Sequence, residues 1–268
     1  MVGLFEQRAV AFLDVLGFKQ LVNEAEKTQA GFDKLAGLDA VISNHVRWDN
    51  NRLKPEVPKE AHPKYIFISD SIIISTPLLV SIEGVDGLDI LAVKCTQVAQ
   101  KLLEMGLIVR GGISVGSVWH SGTNIFGSAY VEAYQIEQQA RHPRIMLSKK
   151  ASELWRKPAR FAHDICIPDG DSYIVDILHA AYLRTNAAGI PMESSFAQFR
   201  AYITSNIELL PQGEARSKWI WFAKFFNEAL RRHGLSTQAI TLPANRCPHQ
   251  KWPFVEKLCF YLRKNPIP

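Results

Sequence analysis

"KYIFISDSIIISTPL", residues 64–78, decides the architecture. Two β-rich arms flank Ser69-Asp70-Ser71, as expected of two strands joined by a tight turn. Upstream, residues 8–15 read as a buried strand and roughly 18–48 as a helix with apolar residues at helical spacing. Pro55, Pro58 and Pro63 mark a loop before the hairpin. Downstream, residues 86–105 predict an amphipathic helix stopped near Gly106, and "LIVRGGISVGSVWHSG" (107–122) a strand and turn. Residues 128–141 read as another helix, and "RIMLS" (144–148) as a short strand. The order βαββαβ predicts an α+β protein, an antiparallel ferredoxin-like sheet with helices packed on one face. The opposite face needs a cover, and a second subunit is a common one.

After about residue 178 the pattern changes. "FAQFRAYITSNIELL" and "SKWIWFAKFFNEALRRHG" are helical, aromatic-rich and free of strand alternation. Trp219, Phe222 and Phe226, with Trp221 and Phe225 alongside, predict a helix packed on the main domain rather than a stacking surface for bases. The division expected is 1–178 for a catalytic domain and 179–268 for a helical C-terminal extension.

The 268 residues are 47% hydrophobic, enough for one large domain or a domain with an extension. No apolar run reaches membrane-spanning length, and the N-terminus lacks a basic region followed by an apolar core. Cys95, Cys166, Cys247 and Cys259 are scattered and form no CxxC, which suits reduced thiols and a cytoplasmic location. Cys247-Pro248-His249 lacks the partners of a zinc site. The formal charge of +5 suits an anionic ligand, but the basic residues form no run that points to nucleic acid.

Two carboxylates carry the chemistry. Asp14 ends the first strand and is followed at once by Leu16-Gly17-Phe18; Asp70 sits in the hairpin turn. In a ferredoxin-like sheet the first strand lies beside one arm of the hairpin, so the two can meet at one sheet edge. Each alone reads as a cap or a turn residue. Together they suit two hard divalent cations and a triphosphate, with amides of Leu16, Gly17 and Phe18 cradling phosphate oxygens.

"FLDVLGF" (12–18), "ISDSIII" (68–74) and "VRGGISVGSV…FGSAYVEAYQIEQQARHPRIMLS" (109–148) resemble the class III nucleotidyl cyclase catalytic domain, over about residues 7–178. The resemblance implies a head-to-tail homodimer with active sites at the interface. It also implies two Mg²⁺ or Mn²⁺ ions on Asp14, Asp70 and the carbonyl of Val15, and attack of a ribose 3′-hydroxyl on the α-phosphate. The glycines at 111–116 are not a Walker loop, since no GK[ST] follows.

Departures from that pattern redirect the substrate. The lysine and aspartate that read a purine in this family are Ile66 and Asn124 here. An isoleucine with an amide suits a pyrimidine edge better than adenine. Tyr65, Phe67 and Trp48 are candidates for narrowing the pocket, or core residues. The chain therefore looks closest to the pyrimidine cyclases of bacterial Pycsar antiphage systems, which make cyclic UMP or cyclic CMP for a separate effector protein; UTP is the substrate expected ahead of CTP. The family's transition-state asparagine and arginine are replaced by Val131 and Gln135. Arg110 or Arg47 could supply the missing charge, and Arg110 could equally be a structural ion-pair partner. Arg141 reads as a surface partner of Glu137. A degenerate cyclase fold that senses nucleotides, or a nucleic-acid-processing palm domain, is the competing class.

Overall fold

The computed structural model describes residues 5–46, 62–79, 86–156, 162, 164–179 and 192–243. Arg47, Trp48, Pro55, Pro58, Cys247, His249 and Cys259 lie outside them. The elements run β1 (Glu6–Leu16), α1 (Phe18–Ala25), α2 (Gln29–Val46), β2 (Lys64–Ile68), β3 (Ser71–Pro77) and α3 (Gly87–Glu104). There follow β4 (Ile108–His120), β5 (Ile125–Gly127), α4 (Ser128–Gln139), β6 (Ile145–Leu147) and α5 (Lys149–Trp155). The hairpin β7 (Cys166–Asp169) and β8 (Ser172–Val175), then α6 (Met192–Leu209) and α7 (Glu214–Arg232), complete the series.

The sheet order is β2-β3-β1-β4-β6-β8-β7, with β5 paired to β4. Its first four strands are antiparallel neighbours, the ferredoxin-like arrangement expected. The sheet continues beyond it: β6 runs parallel to β4, and the β7–β8 hairpin extends the far edge.

Alternation along β1 separates two apolar faces. Ala9, Ala11, Leu13 and Val15 join the main core with Leu38 and Ile42 of α2 and the buried side of α3. Val10 and Phe12 point the other way, into a smaller cluster with Ile66, Ile73, Val118, Ile125, Ala129 and Ala133. The helices therefore do not share one face. α4 crosses the second face over a stripe of small residues on β4, because a Cβ on Gly112 would stand 2.3 Å from the Ala133 carbonyl oxygen.

The single helix expected over 18–48 is two. Thr28 breaks it: its hydroxyl donates to the Glu24 carbonyl at 3.2 Å and accepts the Gly31 N–H at 3.0 Å, starting α2 afresh. α3 begins with a capping box, Asp86 accepting from Leu88 and Asp89 N–H while Asp89 accepts from Asp86 N–H. It ends at Gly106, whose φ of +75° lets Leu107 N–H return to the Leu102 carbonyl.

α6 and α7 contribute Phe196, Phe199, Ile203, Trp219, Phe222 and Phe226 to the same core as the sheet. Below α7, buried Asp176 accepts from Arg232 Nη2 at 2.9 Å and lies 3.0 Å from His233 Nε2. Burial pushes that carboxyl up, but the His233 hydrogen bond and the Arg232 charge outweigh it and hold it below the usual range.

Candidate active site

The site is made by three neighbouring strand ends. Asp14, near the end of β1, is in register with Ser71 of β3 on one side and Arg110 of β4 on the other. Ser69 takes a positive φ of 58° in the hairpin turn, and the Val15 N–H donates to the Asp70 carbonyl at 2.9 Å. That bond fastens the turn with Asp70 beside the strand that carries Asp14.

Arg110 is held from three directions. Its Nε donates to Asp14 Oδ2 at 3.1 Å and lies 2.6 Å from Glu137 Oε1, and its Nη1 donates to the Ala140 carbonyl at 3.3 Å. The Glu137 side chain, on α4, is 1% exposed. The sequence reading of Glu137 as a surface partner of Arg141 gives way here: Glu137 lies beneath the surface and pairs with Arg110. Burial raises the Glu137 carboxyl, Arg110 opposes the rise and Asp14 adds to it. Burial also raises Asp14, Arg110 again opposes, and Asp70 adds to the rise. Two carboxylates thus share one guanidinium, with the Asp70 charge acting on Asp14 beside them, an arrangement short of positive charge.

Among the described residues no group of three or more His, Cys, Asp and Glu side chains is arranged to hold a metal ion. Two carboxylates and a strand-end carbonyl are nevertheless an all-oxygen, hard donor set. Magnesium and manganese are commonly held by one or two carboxylates together with substrate phosphates. A cation near Asp14 and Asp70 would also relieve the repulsion that raises Asp14. The residues fit the metals expected.

The turn after β1 has the conformation its sequence suggests. Gly17 has φ +88°, and its carbonyl accepts the N–H groups of Gln20 and Leu21, so α1 starts directly from it. Among the described residues no side chain caps this helix start, and a Cβ on Gly17 would meet nothing within 4 Å. Leu16 and Phe18 pack at the edge of the main core. Leu16 and Gly17 line a cavity of about 410 Å³ whose other walls include Gln20, Lys34, Lys218 and Trp219.

The base-reading positions lie elsewhere. Ile66 is buried in the second-face cluster. Tyr65 is in register with Ile74 and packs against the main core, on the face opposite Asp14. Asn124 is exposed in the β4–β5 turn, where Ser121 Oγ accepts its N–H at 2.9 Å. The stretch of β4 from Arg110 to that turn is roughly 33 Å of strand at its ordinary rise. One chain therefore does not bring Asn124 to Asp14. Val131 and Gln135 are both exposed on α4.

Beside Asn124's turn is a polar knot. Arg8, 1% exposed, donates to Ser75 Oγ at 2.9 Å and pairs with Glu6; Ser75 Oγ lies 2.7 Å from His120 Nδ1; Lys64 donates to the His120 carbonyl. Burial, then the charges of Arg8 and Lys64, push the His120 imidazole down to about 4. Its Nε2 is buried and has no hydrogen-bond partner among the described residues. Neither this knot nor the place of Lys218 in the cavity wall was visible in the sequence, since both depend on the meeting of distant segments.

No protein-family model matches the chain, and no curated protein matches it. Solved structures similar to it are nucleotidyl cyclase-like proteins. One is the catalytic core of a rhodopsin-guanylyl cyclase with converted specificity in complex with ATPαS, at 14% identity and TM-score 0.38, with 64% of this chain and 96% of that chain covered. Another is a class III adenylyl cyclase-like ATP-binding protein from Pseudomonas aeruginosa, at 13% identity and TM-score 0.41. There 82% of this chain is covered but only 44% of the other, so the chain spans less than half that protein's length.

Proposed function

We propose that the chain is a pyrimidine nucleotide cyclase that converts UTP, ahead of CTP, to the 3′,5′-cyclic monophosphate and pyrophosphate. The observation that carries the reading is the meeting of Asp14 and Asp70 at one sheet end beside the Gly17 turn. Asp14, Asp70 and the Val15 carbonyl would hold two Mg²⁺ or Mn²⁺ ions. Bound there, the metals supply charge that acidifies the ribose 3′-hydroxyl and stabilises the departing pyrophosphate. The amides at Leu16, Gly17 and Phe18 orient phosphate oxygens, and Arg110 opposes the rise that burial gives the Asp14 carboxyl. Ile66 offers no hydrogen bond to a purine edge, and Asn124 offers an amide to a smaller base. Because Asn124 lies far along β4 from Asp14, it would serve the site of a second copy, which is the reason to propose a head-to-tail homodimer. We assign catalysis to residues 1–178 and a packed helical extension to 179–268. The product would act in antiphage defence as a second messenger for a separate effector.

A second reading has one observation in its favour. Val131 and Gln135 stand where the family has catalytic groups, as they would in a nucleotide sensor. Incubation with manganese and each of ATP, GTP, CTP and UTP, with products identified by mass, separates the two. Cyclic UMP as the main product, lost in Asp14→Ala and Asp70→Ala of unchanged circular dichroism, supports the cyclase. Nucleotide binding without turnover supports the sensor, and cyclic AMP as the main product overturns the base assignment alone.

A further inference from the structure

We propose that the C-terminal extension completes the phosphate-binding end of the site, with Lys218 of α7 contacting the β- and γ-phosphates of a nucleoside triphosphate. The substrate class rests on the cyclase reading above; the position of Lys218 does not.

α7 places Lys218 there by its periodicity. Trp219, Phe222 and Phe226 anchor it in the core, with Trp221 and Phe225 beside them. Glu214 and Lys218, four residues apart, share a side of its first turns. That side is a wall of the 410 Å³ cavity whose opposite walls are the Leu16–Gly17 turn, Gln20 and Glu24 of α1 and Lys34 of α2. The lining holds two lysines and two glutamates around a glycine turn and an uncapped helix start. Lys218 is near enough to Asp14 to act on its carboxyl, and Arg110 acts on Glu214 in the same way.

Mobility of charge distinguishes Lys218 from Arg110. Arg110 is committed to Asp14, to the Ala140 carbonyl and to the buried Glu137, so turning it toward a substrate would strand Glu137. Among the described residues Lys218 gives its ammonium to Glu214 alone, at 2.8 Å, and the Glu214 side chain is 84% exposed. An exposed pair of this kind is easily exchanged. A phosphate oxygen can take the place of the Glu214 carboxylate at no cost in buried charge. Glu214 then acts as a competing anion at the mouth of the cavity.

The test uses the full chain with manganese and two separate readouts: UTP turnover, and calorimetric binding of inorganic tripolyphosphate with UMP as control. Lys218→Ala is expected to raise KM for UTP about tenfold or more, with a smaller change in kcat, and to weaken tripolyphosphate by a similar factor. UMP binding stays as in wild type, Lys218→Arg restores affinity, and Glu214→Gln tightens tripolyphosphate. Unchanged tripolyphosphate affinity in Lys218→Ala, or an equal loss for UMP, overturns the inference. A wild-type protein that makes no cyclic product, yet loses tripolyphosphate on Lys218→Ala, overturns the cyclase reading and leaves this site standing.

Discussion

Replacing Arg110 by alanine removes the only cation that touches both Asp14 and Glu137 among the described residues. Deleting one partner of a buried ion pair costs about 3–5 kcal/mol, because the other charge is left unpaired. Of the two carboxylates left behind, Asp14 is 17% exposed and recovers some hydration, whereas Glu137 at 1% does not. The lower end, about 3 kcal/mol, is therefore expected. At roughly 2–4 °C per kcal/mol for a chain of this size, the melting temperature falls by about 6–12 °C. Both carboxyls already titrate above their usual range, and loss of Arg110 raises them further. A carboxyl raised in the folded state loses stability as pH rises from its unfolded value through its folded one. The deficit of Arg110→Ala therefore grows as pH rises above about 4.5, the ordinary glutamate value. Adding Glu137→Gln should recover about half of it, since the orphaned buried charge is then gone. Manganese should raise the melting temperature of Arg110→Ala more than that of wild type, as a cation on Asp14 replaces the one removed. Thermal melts by circular dichroism at pH 5 and 8, with and without manganese, read all of this. A variant that melts within 1 °C of wild type at pH 8, or gains nothing from Glu137→Gln, refutes the reasoning.

Asp70→Asn keeps the size of the turn residue and removes its charge; manganese-dependent pyrophosphate release should fall by on the order of 10²-fold or more, with an unchanged melt. Gly17→Ala meets no neighbour, so its cost is the left-handed backbone alone, about 1–2 kcal/mol, and Gly17→Asn should cost less; denaturant titration of the two compares them directly. His120 is depressed in the folded protein from 6.5 to about 4, so stability is full above 6.5 and is lost as pH falls toward 4, by on the order of 3 kcal/mol. Urea titrations of His120→Asn between pH 4 and 7 should show that slope removed; an identical slope in the variant assigns it to other groups.

The four strands that position Asp14 and Asp70 were legible because each announces itself locally: β-branched runs, a Ser-Asp-Ser turn, a glycine after Leu16. The break at Thr28 was hidden because apolar spacing carries on across it, while the break itself is made by one hydroxyl. The face chosen by α4 was also hidden, since the glycines of β4 that admit it show in the sequence as strand residues and carry no signal for which helix packs on them. Arg110 was legible both as a charge near the site and as an ion-pair partner, but its buried partner was not, because Glu137 carries a sequence pattern typical of a surface helix. Lys218 had no local signal at all. It sits in an aromatic helix that reads as packing, and only the tertiary arrangement brings it to the Gly17 turn.

Asp176 sets a condition on how this chain can be made. It lies just past the last strand, yet its partners, Arg232 and His233, emerge from the ribosome more than fifty residues later. Until they arrive, the nascent sheet carries an uncompensated carboxylate beneath a core still missing the rings of Trp219, Phe222 and Phe226. The strands that bear Asp14 and Asp70 are synthesised early but are sealed late. Completion of the sheet end that bears Asp14 and Asp70 thereby waits on the arrival of α7, and a chain interrupted before residue 232 would present its apolar layer to chaperones and proteases.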